Sequence, residues 1–173
     1  MHMTCSQCRY EFCWLCMGDY RQHQAETGKY LCNSFDDVVQ LKRNNQSDLA
    51  EKQRIEIIKR KLEHFQTRYM EHYKAIGFAK QKKSQIKAQI DEFTKLQSQY
   101  STKDLEFLDE TSELVIRARR AITYTYPLRY LMENNPAKKA YFDFIQGDLE
   151  YSLEQLVRLH EKDWRNYIEP EIV

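Results

Sequence analysis

The chain has 173 residues, of which 42% are hydrophobic and 31% are charged, and its formal net charge is +1. A near-neutral chain of this length fits one or two small domains and argues against binding of nucleic acid or another polyanion through overall charge. No apolar run approaches the length that crosses a bilayer, and no pattern typical of a secretion signal is present, so we expect no membrane association. The four Gly and three Pro are few, which favours long helices joined by few turns.

The first 35 residues form a cysteine-rich segment. They contain all five cysteines, four of them in two Cys-x-x-Cys pairs, Cys5 with Cys8 and Cys13 with Cys16. A segment this short cannot build a sufficient core and needs a staple such as a metal ion. Because nothing indicates secretion and the number of cysteines is odd, metal binding is a better explanation than disulfides. We therefore expect zinc in this segment.

Zinc in a structural site takes four sulfur or imidazole ligands, and more than four candidates are present. Spacing alone leaves three groupings open: Cys13, Cys16, His23 and Cys32; Cys5, Cys8, His23 and Cys32; or the compact four-sulfur set Cys5, Cys8, Cys13 and Cys16. A redox dithiol and buried free cysteines are the competing explanations. The strand–helix–strand context in which redox Cys-x-x-Cys pairs occur is not indicated here.

From residue 36 onward, apolar residues recur every three or four positions, which is typical of amphipathic helices. The first stripe is Leu62, Phe65, Tyr69, Tyr73 and Ile76, and the second is Ile86, Ile90, Phe93 and Leu96. Gly77 lies between the two stripes, and we expect it to break or bend the helix.

Start and stop signals indicate further helices. The sequence STKD at 101–104 has the spacing of a capping box, with Ser101 as the cap and Asp104 reaching back. Pro127 should kink or end the helix that follows, and Pro136 should lie in the first turn of the next helix. The apolar stripes of these helices are Leu105, Leu108, Val115 and Ile122, then Phe142, Ile145, Leu149, Leu153, Leu156 and Leu159. The prediction is a mainly α protein, with a short zinc-bound N-terminal segment followed by a bundle of four or five helices.

The residues around the cysteines carry a family resemblance. The segment HMTCSQCRYEFCWLCMGDYRQHQAETGKYLCN resembles the C-terminal part of the catalytic zinc domain of RING-between-RING (RBR) ubiquitin ligases, in which FCWLC, a histidine and then CN are characteristic. The segments RYMEHYKAIGF, YTYPLRYLMENN and EKDWRNYIE resemble the helical domain of the Ariadne subfamily. The resemblance covers nearly the whole chain. It implies a C-terminal fragment of an Ariadne-type ligase, with a truncated RING-like domain at 1–35 and the helical domain at 36–173.

The resemblance also implies a metal assignment and a reaction. The complete zinc site would be Cys13, Cys16, His23 and Cys32, and Cys5 with Cys8 would form half of a second site. Such ligases accept ubiquitin from a conjugating enzyme as a thioester on a cysteine and pass it to a substrate lysine. The family's catalytic cysteine lies in a Cys-Asn-His-Met run, in which His2 matches the proposed general base and Met1 stands at the Asn position. The nucleophile is therefore expected to be absent, and the chain alone to be inactive.

In Ariadne ligases the helical domain packs over the catalytic domain and blocks the active cysteine. By resemblance, the blocking contacts would fall on Phe78, Ala79 and Glu154, although the middle position is usually acidic in the family. The residues alone indicate core packing for Phe78 and allow a solvated helix face for Glu154. The segment before EKDWRNYIE is shorter than in the family, as if a helical hairpin were missing. The implied partners are a ubiquitin-conjugating enzyme, ubiquitin and a neddylated cullin–RING ligase, and the implied location is the cytoplasm and also the nucleus.

Two other features have structural explanations. Arg117, Arg119 and Arg120 indicate a solvated face or a partner contact rather than nucleic-acid binding, because the chain is near neutral. Tyr124, Tyr126 and Tyr130 are expected to pack between helices. The alternative function is a non-catalytic, zinc-stapled helical interaction module that binds a cullin–RING ligase or another partner.

Overall fold

The computed structural model describes residues 2–22, 35, 47–96, 100–132 and 135–165. In this part of the chain, the secondary structure consists of strands β1 (His2–Thr4) and β2 (Glu11–Cys13) and helices α1 (Ser47–Leu96), α2 (Glu106–Leu131) and α3 (Pro136–His160). The prediction of a mainly helical protein is confirmed. The number of helices was wrong, because the described residues form three rather than four or five.

Helix α1 is continuous from Ser47 to Leu96 and passes through Gly77 without a break. At about 1.5 Å per residue, its 50 residues span about 75 Å. The predicted break at Gly77 was therefore wrong. Gly in a helix interior costs only about 1 kcal/mol relative to Ala, which packing along the rest of a long helix readily outweighs. The two predicted stripes thus belong to one helix.

In the turn before α2, Asp104 reaches back to Ser101 as predicted, but Ser101 as the helix cap was wrong, because the N-cap is Leu105, without a side-chain cap hydrogen bond. The Asp104 carboxylate accepts from the Ser101 backbone N–H at 2.7 Å and from the Ser101 hydroxyl at 2.8 Å. The α-helix itself begins at Glu106, after a turn. Pro127 lies inside α2, so the expectation that it ends the helix was wrong. Buried residues on both sides of it, Tyr126 and Arg129, hold the helix against its neighbours.

Helix α3 begins as predicted. The Asn135 side chain caps it by accepting from the Lys138 N–H at 3.1 Å, and Pro136 lies in the first turn. Helix α2 packs against both α1 and α3. Two apolar clusters form the core: Ile86, Ile90, Leu105, Leu108 and Trp164, and the set Val115, Ile122 and Leu153.

Strands β1 and β2 pair antiparallel, with His2 opposite Cys13 and Thr4 opposite Glu11. Because the loop between them contains the first cysteine pair and the second pair begins at Cys13, the last residue of β2, the strand pairing positions both pairs. The predicted domain boundary adjoins residues 36–46, which lie outside the described residues.

Candidate metal site and adjoining cleft

The two Cys-x-x-Cys pairs adopt the same backbone turn. In the first, the Arg9 N–H donates to the Cys5 carbonyl at 2.9 Å, and the Cys5 N–H donates to the Tyr10 carbonyl at 2.9 Å. The second pair, Cys13 with Cys16, repeats both bonds at 2.7 and 2.9 Å. The shared turn indicates that the two pairs are built for the same purpose.

The residue after each pair has a left-handed backbone. Arg9 has a φ of 61° and Met17 a φ of 57°. This conformation costs a non-glycine residue about 1–2 kcal/mol, so it persists only where the surroundings require it. Here it closes each turn around two sulfurs.

The N–H groups of Cys8 and Gln7 donate to the Cys5 sulfur and lower the pKa of that thiol, which favours the thiolate that zinc binds. Both turns therefore fit zinc ligation.

The other predicted ligands, His23 and Cys32, lie outside the described residues, so the complete site stays a prediction. Within the described ranges, no three His, Cys, Asp or Glu side chains lie close enough together to hold a metal ion. The compact four-sulfur grouping is therefore not formed there. Each pair needs ligands from elsewhere.

His2, the predicted general base, lies where the strands meet the helices. Its backbone N–H donates to the Glu154 carboxylate at 3.4 Å. Its imidazole stacks on Tyr20 with ring centroids 4.0 Å apart, and Nε2 lies 3.3 Å from the Glu11 carboxylate without hydrogen-bond geometry. The Glu154 contact joins strand β1 to helix α3.

A cleft of about 800 Å³ lies at this contact. Its lining brings together His2 and all three residues of the predicted blocking set, Phe78, Ala79 and Glu154. Phe78 is 69% exposed, so the core packing indicated by the residues alone was wrong. Ala79 packs against the cluster around Val115 and offers no carboxylate to the cleft.

A second hydrogen bond joins the two parts, and the sequence did not reveal it. The Trp14 indole donates to the Glu71 carboxylate at 3.1 Å. The ammonium group of Lys74, and more weakly the Trp14 indole, hold the pKa of Glu71 below its usual value. Glu71 is therefore an ionised acceptor. Both residues lie in segments that the sequence analysis singled out, FCWLC and RYMEHYKAIGF. Hydrophobic periodicity, however, gives no information on contacts between distant segments.

A buried polar network joins the three helices, and sequence reasoning also missed it. The Tyr126 hydroxyl donates to the Glu150 carboxylate and contacts His72 Nε2 at 3.1 Å, and all three side chains are almost completely buried. Burial alone raises the pKa of Glu150, but the hydrogen bond and charge of His72, with smaller contributions including Tyr126, bring it below its usual value. The network thus fixes the relative positions of α1, α2 and α3.

The other sequence features have mixed outcomes. Tyr126 is buried as predicted, and Tyr130 is half-buried against Phe65, but Tyr124 is exposed. Arg117 and Arg120 are exposed, which matches the predicted solvated or partner-binding face, whereas Arg119 is half-buried and lines the cleft. No helix in the described ranges is long and apolar enough to cross a membrane.

Comparison with known proteins gives the family. Residues 1–33 match the model of the IBR domain. The chain is 36% identical over 170 residues to "Probable E3 ubiquitin-protein ligase ARI7" of Arabidopsis thaliana, covering 94% of this chain and 29% of that protein. It is 33% identical over 159 residues to "E3 ubiquitin-protein ligase ARIH2" of Mus musculus and 30% identical over 159 residues to "Potential E3 ubiquitin-protein ligase ariadne-2" of Caenorhabditis elegans, each covering 90% of this chain and 30% of the relative.

The chain is related to the Ariadne-type RING-between-RING ligases over almost its whole length. It spans about three tenths of the length of these Ariadne relatives. Both cysteine turns lie within the residues that match the IBR domain.

Proposed function

We propose that this chain is the zinc-binding and regulatory part of an Ariadne-type ubiquitin ligase, which passes ubiquitin from a conjugating enzyme through a cysteine thioester to a substrate lysine. The observation that supports it best is the cleft in which Glu154 accepts from the His2 N–H, with Phe78 and Ala79 beside it. Residues that the family resemblance assigned separately to catalysis and to inhibition meet there.

Cys13, Cys16, His23 and Cys32 would hold one zinc ion, and Cys5 with Cys8 would supply half of a second site. The ion would act structurally by cross-linking a segment too short to fold around its own core. Because Cys13 is the last residue of β2 and pairs with His2 of β1, this cross-link would also hold His2 in place.

The helices would inhibit transfer by covering the surface around His2. A conjugating enzyme that carries ubiquitin as a thioester must approach the surface around His2. The cleft walls and the Glu154 side chain occupy that surface. The two hydrogen bonds, His2 to Glu154 and Trp14 to Glu71, contribute about 1 kcal/mol each. A partner that binds the state in which both hydrogen bonds are broken about a hundredfold more tightly than the closed state would therefore relieve the inhibition.

The family resemblance supports a neddylated cullin–RING ligase as that releasing partner. The chain by itself should not carry ubiquitin, because each of its five cysteines occupies a ligand position in the proposed zinc sites. A charging assay with activating enzyme, conjugating enzyme and ubiquitin should therefore give no adduct on this chain that reducing agent removes. Such an adduct would contradict the assignment of the cysteines.

A segment swap tests the proposal that this chain supports and regulates ubiquitin transfer. The matching segment of the mouse relative is replaced by this chain, and thioester formation is followed with a charged conjugating enzyme. We expect the swapped protein to accept ubiquitin, and Glu154→Ala to make loading several-fold faster by opening the cleft. Glu110→Ala, an exposed change on α2, is the matched control.

Two results would contradict the proposal. Loading at the same rate in Glu154→Ala and Glu110→Ala would show that the cleft does not inhibit. Absence of loading in a zinc-loaded, folded swap, while the intact mouse protein reacts, would favour the non-catalytic interaction module instead.

A further inference from the structure

Basic side chains from all three helices line the cleft. Lys82 of α1, Arg119 of α2 and Arg158 of α3 contribute one cation each, and Lys74 of α1 adds a fourth. The Lys74 ammonium group is neutralised by the Glu71 carboxylate at 2.7 Å. Among the residues that the structure describes, the other three cations form no ion pair. The cleft therefore has positive charge that the described chain does not neutralise by direct contact.

Arg119 gives the observation that points to a ligand. Its side chain is half-buried, and its Nη1 atom is shielded from solvent without a hydrogen-bond partner in the described structure. A guanidinium group is always charged and has five N–H donors, and a buried donor without an acceptor destabilises the fold. An acceptor supplied by another molecule would remove this cost. The unpaired donor in the cleft lining therefore indicates an anionic ligand.

The histidine near these cations does not take that place. Burial, and after it the charge of Lys82, lower the pKa of His160, which also lines the cleft. The imidazole is therefore neutral at pH 7, and its Nε2 lies 2.8 Å from the Ser112 hydroxyl. His160 thus neither neutralises the cations nor adds a positive charge to them.

The charge balance of the cleft indicates which kind of anion fits. With histidine counted as neutral, the described lining has one more cation than it has carboxylates. The carboxylates are those of Glu71, Glu154 and Glu161. Arginine binds both carboxylates and phosphates through paired N–H donors. A polyphosphate would bring several negative charges close to three carboxylates, whereas a single carboxylate matches the excess of one positive charge.

The apolar part of the lining suits a side chain next to that carboxylate. Phe78 is 69% exposed in the cleft. Val115 precedes Arg119 by about one helical turn, and Val157 directly precedes Arg158. At about 800 Å³, the cleft is within the size range of sites that enclose small ligands. A segment of a protein with an acidic residue next to an apolar one would complement both the charge and the apolar surface.

We propose that the cleft binds a short segment of another protein in which an Asp or Glu stands next to an apolar residue. The carboxylate would accept from Arg119, and the charges of Arg158 and Lys82 would add attraction. The apolar side chain would lie against Phe78 and Val115. This binding does not depend on ubiquitin transfer and would hold for a ligase or an interaction module.

The test uses the whole zinc-loaded chain and three probes. The first is a fluorescein-labelled peptide with one Glu flanked by Leu in a Gly-Ser background, the second has Gln in place of that Glu, and the third is inorganic pyrophosphate. Fluorescence anisotropy should show saturable binding of the Glu peptide that weakens with added salt, and binding of the Gln peptide at least about tenfold weaker. Equal binding of both peptides, no binding of the Glu peptide at millimolar concentration, or tighter binding of pyrophosphate would overturn the proposal.

Variants locate the site. Arg119→Gln should weaken the Glu peptide at least about tenfold and leave the Gln peptide unchanged. Arg117→Gln, which removes an exposed arginine two positions earlier on α2, should change neither. Equal effects of the two variants would show attraction by general charge only and would overturn the proposal. Arg158→Gln, at an exposed position in the cleft lining, should also weaken the Glu peptide and decides the question if Arg119→Gln does not fold.

Two other occupants would give different results. Sedimentation should show a monomer, whereas a dimer that Arg119→Gln dissociates would make a second copy the occupant. Glu169→Gln combined with Glu171→Gln should leave the affinity for the Glu peptide unchanged. Binding at least about tenfold tighter in this double variant would make the chain's own acidic C-terminal residues the occupant. Either result would overturn the proposal.

Discussion

Replacing Tyr126 with Phe removes the hydroxyl that joins Glu150 to His72 and changes nothing else in shape. The ring is fully buried, and its two partners are each 2% exposed, so water cannot substitute. The loss leaves His72 Nε2 at 3.5 Å from the Glu150 carboxylate. An unmade hydrogen bond in such a site costs about 1–3 kcal/mol. For a chain of this length, each kcal/mol lowers the melting temperature by about 2–4 °C, so the expected decrease is roughly 2–12 °C.

Thermal and urea unfolding of Tyr126→Phe and of Tyr124→Phe measure this cost directly. Tyr124 lies one half-turn earlier on α2 and is exposed, so its variant should stay within about 0.5 kcal/mol of the parent chain. If the two variants have the same stability, the network does not contribute as described.

The pH dependence gives the same test an independent readout. The pKa of Glu150 is lower in the folded chain than in the unfolded one. Its contribution is therefore present above the unfolded value, about 4.3, and is lost as pH falls through the folded value. Tyr126→Phe removes one of the hydrogen bonds that lower this pKa, so the stability lost on acidification should be smaller than in the parent chain, and the loss should end at a higher pH.

Three further predictions concern single features. Gly77→Ala should stabilise the chain by about 0.5–1 kcal/mol, because the added Cβ meets no atom within 4 Å in a helix interior; a lower melting temperature would contradict this. Asp143→Asn should destabilise by about 2–3 kcal/mol, because the buried Arg129 guanidinium loses its two-bond carboxylate partner at 2.5 and 2.9 Å, and an unchanged denaturation curve would refute it. Metal analysis should find close to one tightly bound zinc ion per chain and none in Cys13→Ser; a zinc-free parent chain would remove the structural argument for the N-terminal segment.

The sequence predicted elements that depend on local chemistry. The Asp104 bond back to Ser101, the Pro136 start and the apolar stripe of α2 all formed, because each depends on residues within a few turns. Gly77 and Pro127 misled the prediction because tertiary packing outweighs the cost that each imposes on a single helix. The sequence analysis therefore predicted more helices than the described residues form.

Contacts between distant segments could not be predicted from patterns. In the sequence, Glu150 cannot be distinguished from any other glutamate on a helix, because its partners lie on α1 and α2. Trp14 and Glu71 are more than fifty positions apart in the chain. The residues alone indicated core packing for Phe78, but it lies exposed in the cleft. Only the family resemblance singled out Phe78 and Glu154 together with His2, because it carries tertiary information that periodicity lacks.

The most direct test of the account is the nuclear magnetic resonance signal of the Trp14 indole N–H. The chain has two tryptophans, and Trp14→Phe assigns which of the two indole signals belongs to Trp14. If the zinc segment rests on the helices, Glu71→Gln shifts the Trp14 signal and speeds its exchange with solvent, while the Trp164 signal and the control Glu110→Gln show no change. A Trp14 signal at the position of a free indole, unaffected by Glu71→Gln, would contradict the contact on which the proposed inhibition rests.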